Sequence, residues 1–108
     1  MLTITEHAID RYCERIEPGT SFATAKAHIE EHIGSARKTG SHTNAGDPIW
    51  QSDALRCRFV VRAGRMGDAG RLVAITTLPL REEVPVNELE EELAAINAFD
   101  LHGLMHKL

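Results

Sequence analysis

His7, Arg11 and Arg15 recur every four residues near the start of the chain, in the stretch TEHAIDRYCER. A helix turns ~100° per residue, so residues four apart fall on one stripe. An imidazole and two guanidiniums on one stripe are suited to handling an anion. Guanidiniums bind phosphate through a planar fork of donors. An imidazole, with an ordinary pKa near about 6.5, takes and gives protons at neutral pH. The same stripe would also serve as a solvated helix face, and what stands opposite it decides between the two readings.

Other residues invite similar questions. In LRCRFVVR, residues 55–62, Leu55, Cys57, Phe59 and Val61 alternate with Arg56, Arg58, Val60 and Arg62. On a strand this places the arginines on one side, either as a solvated sheet face or as a floor that binds phosphate. The stretch ITTLP supplies the hydroxyls of Thr76 and Thr77, and a one-residue slip in pairing decides which of them faces the arginines. HIEEH, residues 28–32, fits the H-x-x-E-H pattern of one zinc-protease class. A protease would need a third ligand and a substrate cleft, for which one core of this size leaves little room. At most His28 and His32 form an incidental metal site, so no metal and no cofactor enters the functional reading. A helix-turn-helix reading of the helices around EPGT is disfavoured by Glu30 and Glu31, which phosphates would repel. Cys13 and Cys57 lack metal or disulfide spacing and read as buried thiols.

The elements that must position these groups follow from periodicity. A short strand at residues 2–4 leads to Thr5, which caps a helix running to about residue 16, with Glu6 in its first turn. Ile9, Tyr12, Cys13 and Ile16 form its apolar face. The basic stripe flanks that face on one side, and Glu6, Asp10, Glu14 and Glu17 flank it on the other. Thr20 or Ser21 caps a second helix, about 22–37, with Phe22, Ala25, Ile29, Ile33 and Ala36 inward. Residues 41–48 read as a loop, IWQ as a short strand, 55–62 as a strand, 63–70 as a glycine-rich hairpin loop and RLVAITTLP as a central strand. After Pro85, Asn87 and Glu90 resemble a capping box. Val86, Leu89, Leu93 and Ile96 then form a narrow seam, interrupted at Gly103 and continued by Leu101, Leu104, Met105 and Leu108. The expected class is α+β: an N-terminal α-hairpin packed on a small antiparallel β-sheet, with a C-terminal helix.

The chain has 108 residues, room for one domain (1–108) with one modest core. It carries no apolar run near the ~20 residues that cross a bilayer and no signal-peptide pattern, so the expectation is a cytoplasmic protein with no membrane partner. Its net charge of −4 argues against a dedicated nucleic-acid binder. Acid is concentrated in residues 81–93, whereas residues 56–71 carry five arginines and one aspartate, a local basic patch.

HAIDRYCER, then an α-hairpin, then RFVV, then VAITTLP, resembles small bacterial and phage proteins of the RelE-like endoribonuclease superfamily, also called the barnase–EndoU–colicin–RelE group. The resemblance covers residues 4–80. Many uncharacterised members open with a His-Ala-x-x-Arg-x-x-x-Arg helix and close the sheet with a threonine strand before proline. The resemblance implies metal-independent RNA cleavage by a toxin-like protein, with RNA or the ribosome as target and an antitoxin-like protein as partner. His7 would be the acid–base group, Arg11 and Arg15 would hold phosphate, Arg58 would meet the transition-state charge, and Thr76 would orient substrate. The chain departs from toxins of this group in its acidic charge, in a C-terminal helix without basic and aromatic residues, and in having no lysine between Lys38 and Lys107. The alternative is a non-catalytic binding or interaction module of the same fold, using the seam of the C-terminal helix (about 86–108) to form a homodimer or to meet a protein partner.

Overall fold

Thr5 joins the first strand to the first helix and is held at both ends. In the computed structural model, which describes residues 2–63, 72–80 and 84–106, strand β1 (Leu2–Ile4) leads through Thr5 into helix α1 (Glu6–Arg15). Thr5 Oγ1 accepts from the Ala8 N–H at 3.1 Å, while the Thr5 N–H donates to the Ala74 carbonyl at 3.2 Å. The hydroxyl satisfies one orphan donor of the first turn. Gly19, at φ 91, lets the chain turn back. Ser21 Oγ then caps helix α2 (Phe22–His32) by accepting from the Thr24 N–H at 3.2 Å. After a 3₁₀ turn (Ile33–Ser35) come β2 (Arg37–His42), β3 (Pro48–Ser52), β4 (Cys57–Ala63), β5 (Leu72–Pro79) and α3 (Val86–His106).

The strands form one five-stranded sheet in the order β1-β5-β4-β3-β2. Three pairs are antiparallel, and β1 runs parallel to β5. The class is therefore α+β with a mixed, mostly antiparallel sheet, not the purely antiparallel one expected. β5 is an interior strand beside the short edge strand β1 rather than the middle one, and it is buried from Val73 to Leu78, as its two-faced apolar run requires.

The sheet is covered on both faces. On one side, Ile9 and Tyr12 of α1 and Ile29 of α2 pack with Leu55, Cys57, Phe59, Val61 and Ala74. On the other, Leu93 and Ile96 of α3 pack with Val60, Val73, Ile75 and Leu78. Each fully buried aliphatic side chain contributes roughly 1.5–3 kcal/mol. The alternation of β4 thus separates two cores, and its arginine side is the side α3 covers.

Several boundaries differ from the sequence expectations. The second helix ends at His32, not near residue 37, and Arg37 opens a strand that periodicity does not reveal. That strand is exposed throughout and holds to β3 through a bulge between Lys38 and His42. Gly40 adopts φ 88 there, and Thr39 Oγ1 donates to the Ile49 carbonyl at 2.8 Å. Phe22, expected inward, is 40% exposed. The expected strand at 55–62 begins at Cys57, because Arg56 has φ 56 and closes a turn through its N–H to the Asp53 carbonyl at 3.2 Å. The capping box does not form. Helix α3 already includes Val86, the Leu89 N–H donates to Pro85 O at 3.0 Å, and Glu90 accepts from Asn44 Nδ2 at 2.8 Å. Gly103 does not interrupt α3. The hairpin loop expected at 63–70 lies, from residue 64 on, outside the described residues, as do Leu108 and the side chains of Leu101, Leu104 and Met105.

Pairing of β4 with β5 settles the register. Val60 stands opposite Thr76 and Phe59 opposite Thr77, with a shift between Val60 and Val61 that leaves Ile75 as the extra residue. Thr76 is therefore on the side of Val60 and Arg58, facing α3, and Thr77 faces α1.

Candidate functional site

β1 is three residues long and pairs with β5 only as far as Ala74. Beyond that point the edge of β5 would be bare, and unpaired edge groups need cover. Helix α1 provides it. With Ala8, Ile9 and Tyr12 buried, its basic stripe runs beside that edge. Arg15 Nη1 donates to the Thr77 carbonyl at 3.0 Å, and Thr77 Oγ1 donates to the Ala8 carbonyl at 2.8 Å.

What stands opposite the stripe is Glu92 of α3. His7 Nε2 lies 2.8 Å from its Oε2. Arg15 Nη2 lies 2.7 Å from its Oε1. Thr76 Oγ1 donates to its Oε2. Arg11 Nε lies 3.6 Å from Oε2, just too far to bond, and that atom is buried without a hydrogen-bond partner. Arg11 Nη1 instead meets Glu14 at 2.6 Å. The Glu92 side chain is only 6% exposed, against 26% for His7 and 30% for Arg11.

Burial pushes the Glu92 carboxyl up. Hydrogen bonds from His7, Thr76 and Arg15, with the charge of Arg15, outweigh it and bring the group down from 4.5 to about 2. Glu92 is therefore ionised at neutral pH and can only accept. His7 must carry its hydrogen on Nε2 to bond it. In the neutral imidazole this leaves the Nδ1 lone pair free, on a ring whose orientation the carboxylate fixes. The result is a carboxylate–imidazole pair flanked by two guanidiniums, a group that can move protons next to an anion. The thiols are not competing nucleophiles at neutral pH, since burial pushes Cys57 up to about 12 and also raises Cys13.

Of the expected site residues, His7, Arg11, Arg15 and Thr76 meet at Glu92. The other three do not join them: among the described residues, no hydrogen bond or ion pair links Arg56, Arg58 or Arg62 to this cluster. Arg56 is exposed in its turn. Arg58 donates through Nε to the Pro79 carbonyl at 2.9 Å and lines a separate groove of about 510 Å³ beneath α3. Arg62 engages Asp47 in a fork, Nε to Oδ1 at 3.1 Å and Nη2 to Oδ2 at 2.6 Å. Arg58 and Arg62 thus each have a partner on the α3 side of the sheet, away from the Glu92 cluster, and Arg56 lies in a turn before the strand.

Glu92 is the residue that sequence reasoning missed. It is one of three consecutive glutamates, Glu90 to Glu92. The available signal was its spacing: three residues after Leu89 and one before Leu93, it sits on the inward seam of α3, unlike Glu91. A carboxylate at an inward position needs a buried partner.

No helix among the described residues is long and apolar enough to cross a membrane. Comparison of the chain with protein-family models, with curated proteins and with solved structures finds no match.

Proposed function

We propose that the protein cleaves RNA without a metal, by internal transesterification at the His7–Glu92 pair. The observation that carries this reading is the 2.8 Å contact between a half-exposed imidazole and a buried, ionised carboxylate. In the proposed step His7 Nδ1 takes the proton of a ribose 2′-hydroxyl. The 2′-oxygen bonds to the adjacent phosphorus, the bond from phosphorus to the 5′-oxygen breaks, and that oxygen leaves with a proton from water. The products are a 2′,3′-cyclic phosphate and a 5′-hydroxyl end. Arg11 lies one turn from His7 with its side chain 30% exposed and meets the phosphate charge through the outer nitrogens of its guanidinium. Arg15 and Thr76 hold Glu92, which holds His7. Thr76 is thus a positioning residue, and Arg58 takes no part. The resemblance of HAIDRYCER and VAITTLP to RelE-like endoribonucleases supports the same chemistry.

The test is cleavage of a labelled RNA, with and without ribosomes. His7→Ala should lower the rate by at least about a hundredfold, the usual weight of an acid–base group. Glu92→Gln should lower it while shifting its pH profile, and Arg58→Ala should leave it unchanged. Absence of cleavage by the folded wild type in both settings, or equal rates in wild type and His7→Ala, would overturn the proposal.

One observation favours a second reading, in which the chain is a non-catalytic interaction module. Arg15 already has both Glu92 and the Thr77 carbonyl, and Arg11 has Glu14, so the cluster can serve purely to pin α3. A folded, inactive wild type whose oligomeric state or stability changes on truncation after Ala95 would establish that reading, with α3 as a homodimer or protein-partner surface.

A further inference from the structure

We propose that His28, Glu31 and His32 form a binding site for one transition-metal ion of the zinc class on α2. This inference does not rest on the RNA-cleavage reading, which uses none of these residues.

The spacing places His28 one turn from both Glu31 and His32. One ligand atom from each of the three lies within 4.8 Å of the others. The two imidazoles already touch, with ring centroids 4.9 Å apart and planes at 70°. His32 Nε2 lies 4.0 Å from Glu31 Oε2. Zinc bound at ~2.0–2.2 Å in a tetrahedron brings its ligands to roughly 3.3–3.5 Å of one another. Closing that gap takes side-chain rotation alone, because Glu31 is exposed and both histidines are half-buried. Two imidazoles and a carboxylate suit zinc, nickel or copper better than magnesium or calcium, which prefer an all-oxygen shell. Water would complete the coordination on the open side.

Occupancy would also be felt beyond α2. The His28 ring packs against Tyr12 of α1 at 6.4 Å, and Tyr12 is fully buried, with its hydroxyl donating to Glu17 at 3.0 Å. A metal that fixes the His28 ring therefore stiffens the contact between α1 and α2.

The experiment is a zinc titration of the chelator-stripped full chain against a chromophoric competitor, with the imidazole signals followed by NMR. One ion per chain is expected, with a dissociation constant in the micromolar range. His28→Ala and His32→Ala should each weaken binding at least about tenfold and Glu31→Gln about threefold, as loss of one ligand from three implies. His42→Ala, outside the cluster, should bind as the wild type does. Zinc should perturb the ring signals of His28 and His32 before those of other histidines. Wild-type affinity in both histidine variants, or an equal loss in His42→Ala, would overturn the site. So would perturbation confined to other histidines. The half-exposed positions are tolerant of alanine, and circular dichroism checks that each variant is folded.

Discussion

Replacing Glu92 with glutamine removes the charge at the centre of the cluster while nearly preserving shape. The carboxyl sits at about 2 in the folded protein against an ordinary 4.5. A difference of about 2.5 units, at ~1.36 kcal/mol each, means the charged form gains about 3 kcal/mol from its surroundings on folding. Glutamine cannot replace that gain. Its carbonyl still accepts from Arg15, and its NH₂ is satisfied only if His7 or Thr76 turns to accept, but no negative charge remains opposite Arg15. Glu92→Gln should therefore lose about 3 kcal/mol at pH 7, in line with breaking a buried ion pair. The loss carries a pH signature. A carboxyl whose folded pKa is depressed stabilises above its unfolded value, and that stability disappears as pH falls through the window from 4.5 to about 2. Near pH 3, inside that window, the difference should be clearly smaller than at pH 7. Urea unfolding of both proteins, followed by circular dichroism at pH 7 and near pH 3, measures it. A gap below about 1 kcal/mol at pH 7, or one that does not shrink toward pH 3, would refute the assignment of Glu92 as the ionised hub.

Three further outcomes follow from neighbouring geometry. Thr76→Val and Thr77→Val should each cost about 1–2 kcal/mol at pH 7 through a lost buried hydroxyl bond, but only the Thr76→Val loss should shrink as pH falls toward 3, because only Thr76 bonds Glu92. Arg56→Gly should stabilise by up to about 1 kcal/mol, since Arg56 holds φ 56, where a side chain costs ~1–2 kcal/mol and glycine's entropy returns only part of that; a lower melting temperature would contradict this. At pH 8 a thiol reagent should label half-buried Cys13 in the native state and reach Cys57, pushed up to about 12 by burial, only on unfolding; equal labelling rates would show that Cys57 is not buried as described.

Local rules carried the first helix well. Thr5 caps it, its apolar face is buried, and its basic stripe is where four-residue spacing puts it. The two-faced burial of β5 was also legible, because only a strand covered on both faces tolerates VAIxxL without a polar side. What escaped was whatever depends on distant partners. The RKTGSH strand has no apolar residue to alternate, so nothing but its pairing with β3 marks it as a strand. Arg56 fitted the alternation of LRCRFVVR because Leu55 does point inward, at 2% exposure, yet Leu55 reaches the core from a turn. Arg58 and Arg62 were assigned the correct face, but sequence spacing says nothing about the Pro79 carbonyl or Asp47 that engage them. Glu92 was hidden for the same reason, since its partners lie at the other end of the chain.

That distance explains how an acidic chain can carry a basic stripe. The stripe meets a carboxylate 85 residues from His7 and 77 from Arg15, supplied by a helix that packs on the sheet through apolar side chains. Leu93 and Ile96 bring α3 onto the sheet, and Glu92, on the same inward seam and with its side chain only 6% exposed, depends on Arg15, Thr76 and His7 for its hydrogen bonds. Burial makes the pairing obligatory, because an unpaired carboxylate at that position would be costly. The pairing in turn makes His7 different from a solvated histidine. In the neutral ring, an acceptor-only carboxylate fixes the hydrogen on Nε2 and directs the basic lone pair to Nδ1. The anchoring of α3 and the proton-accepting geometry of His7 are therefore two consequences of one contact, and a change that weakens one must weaken the other.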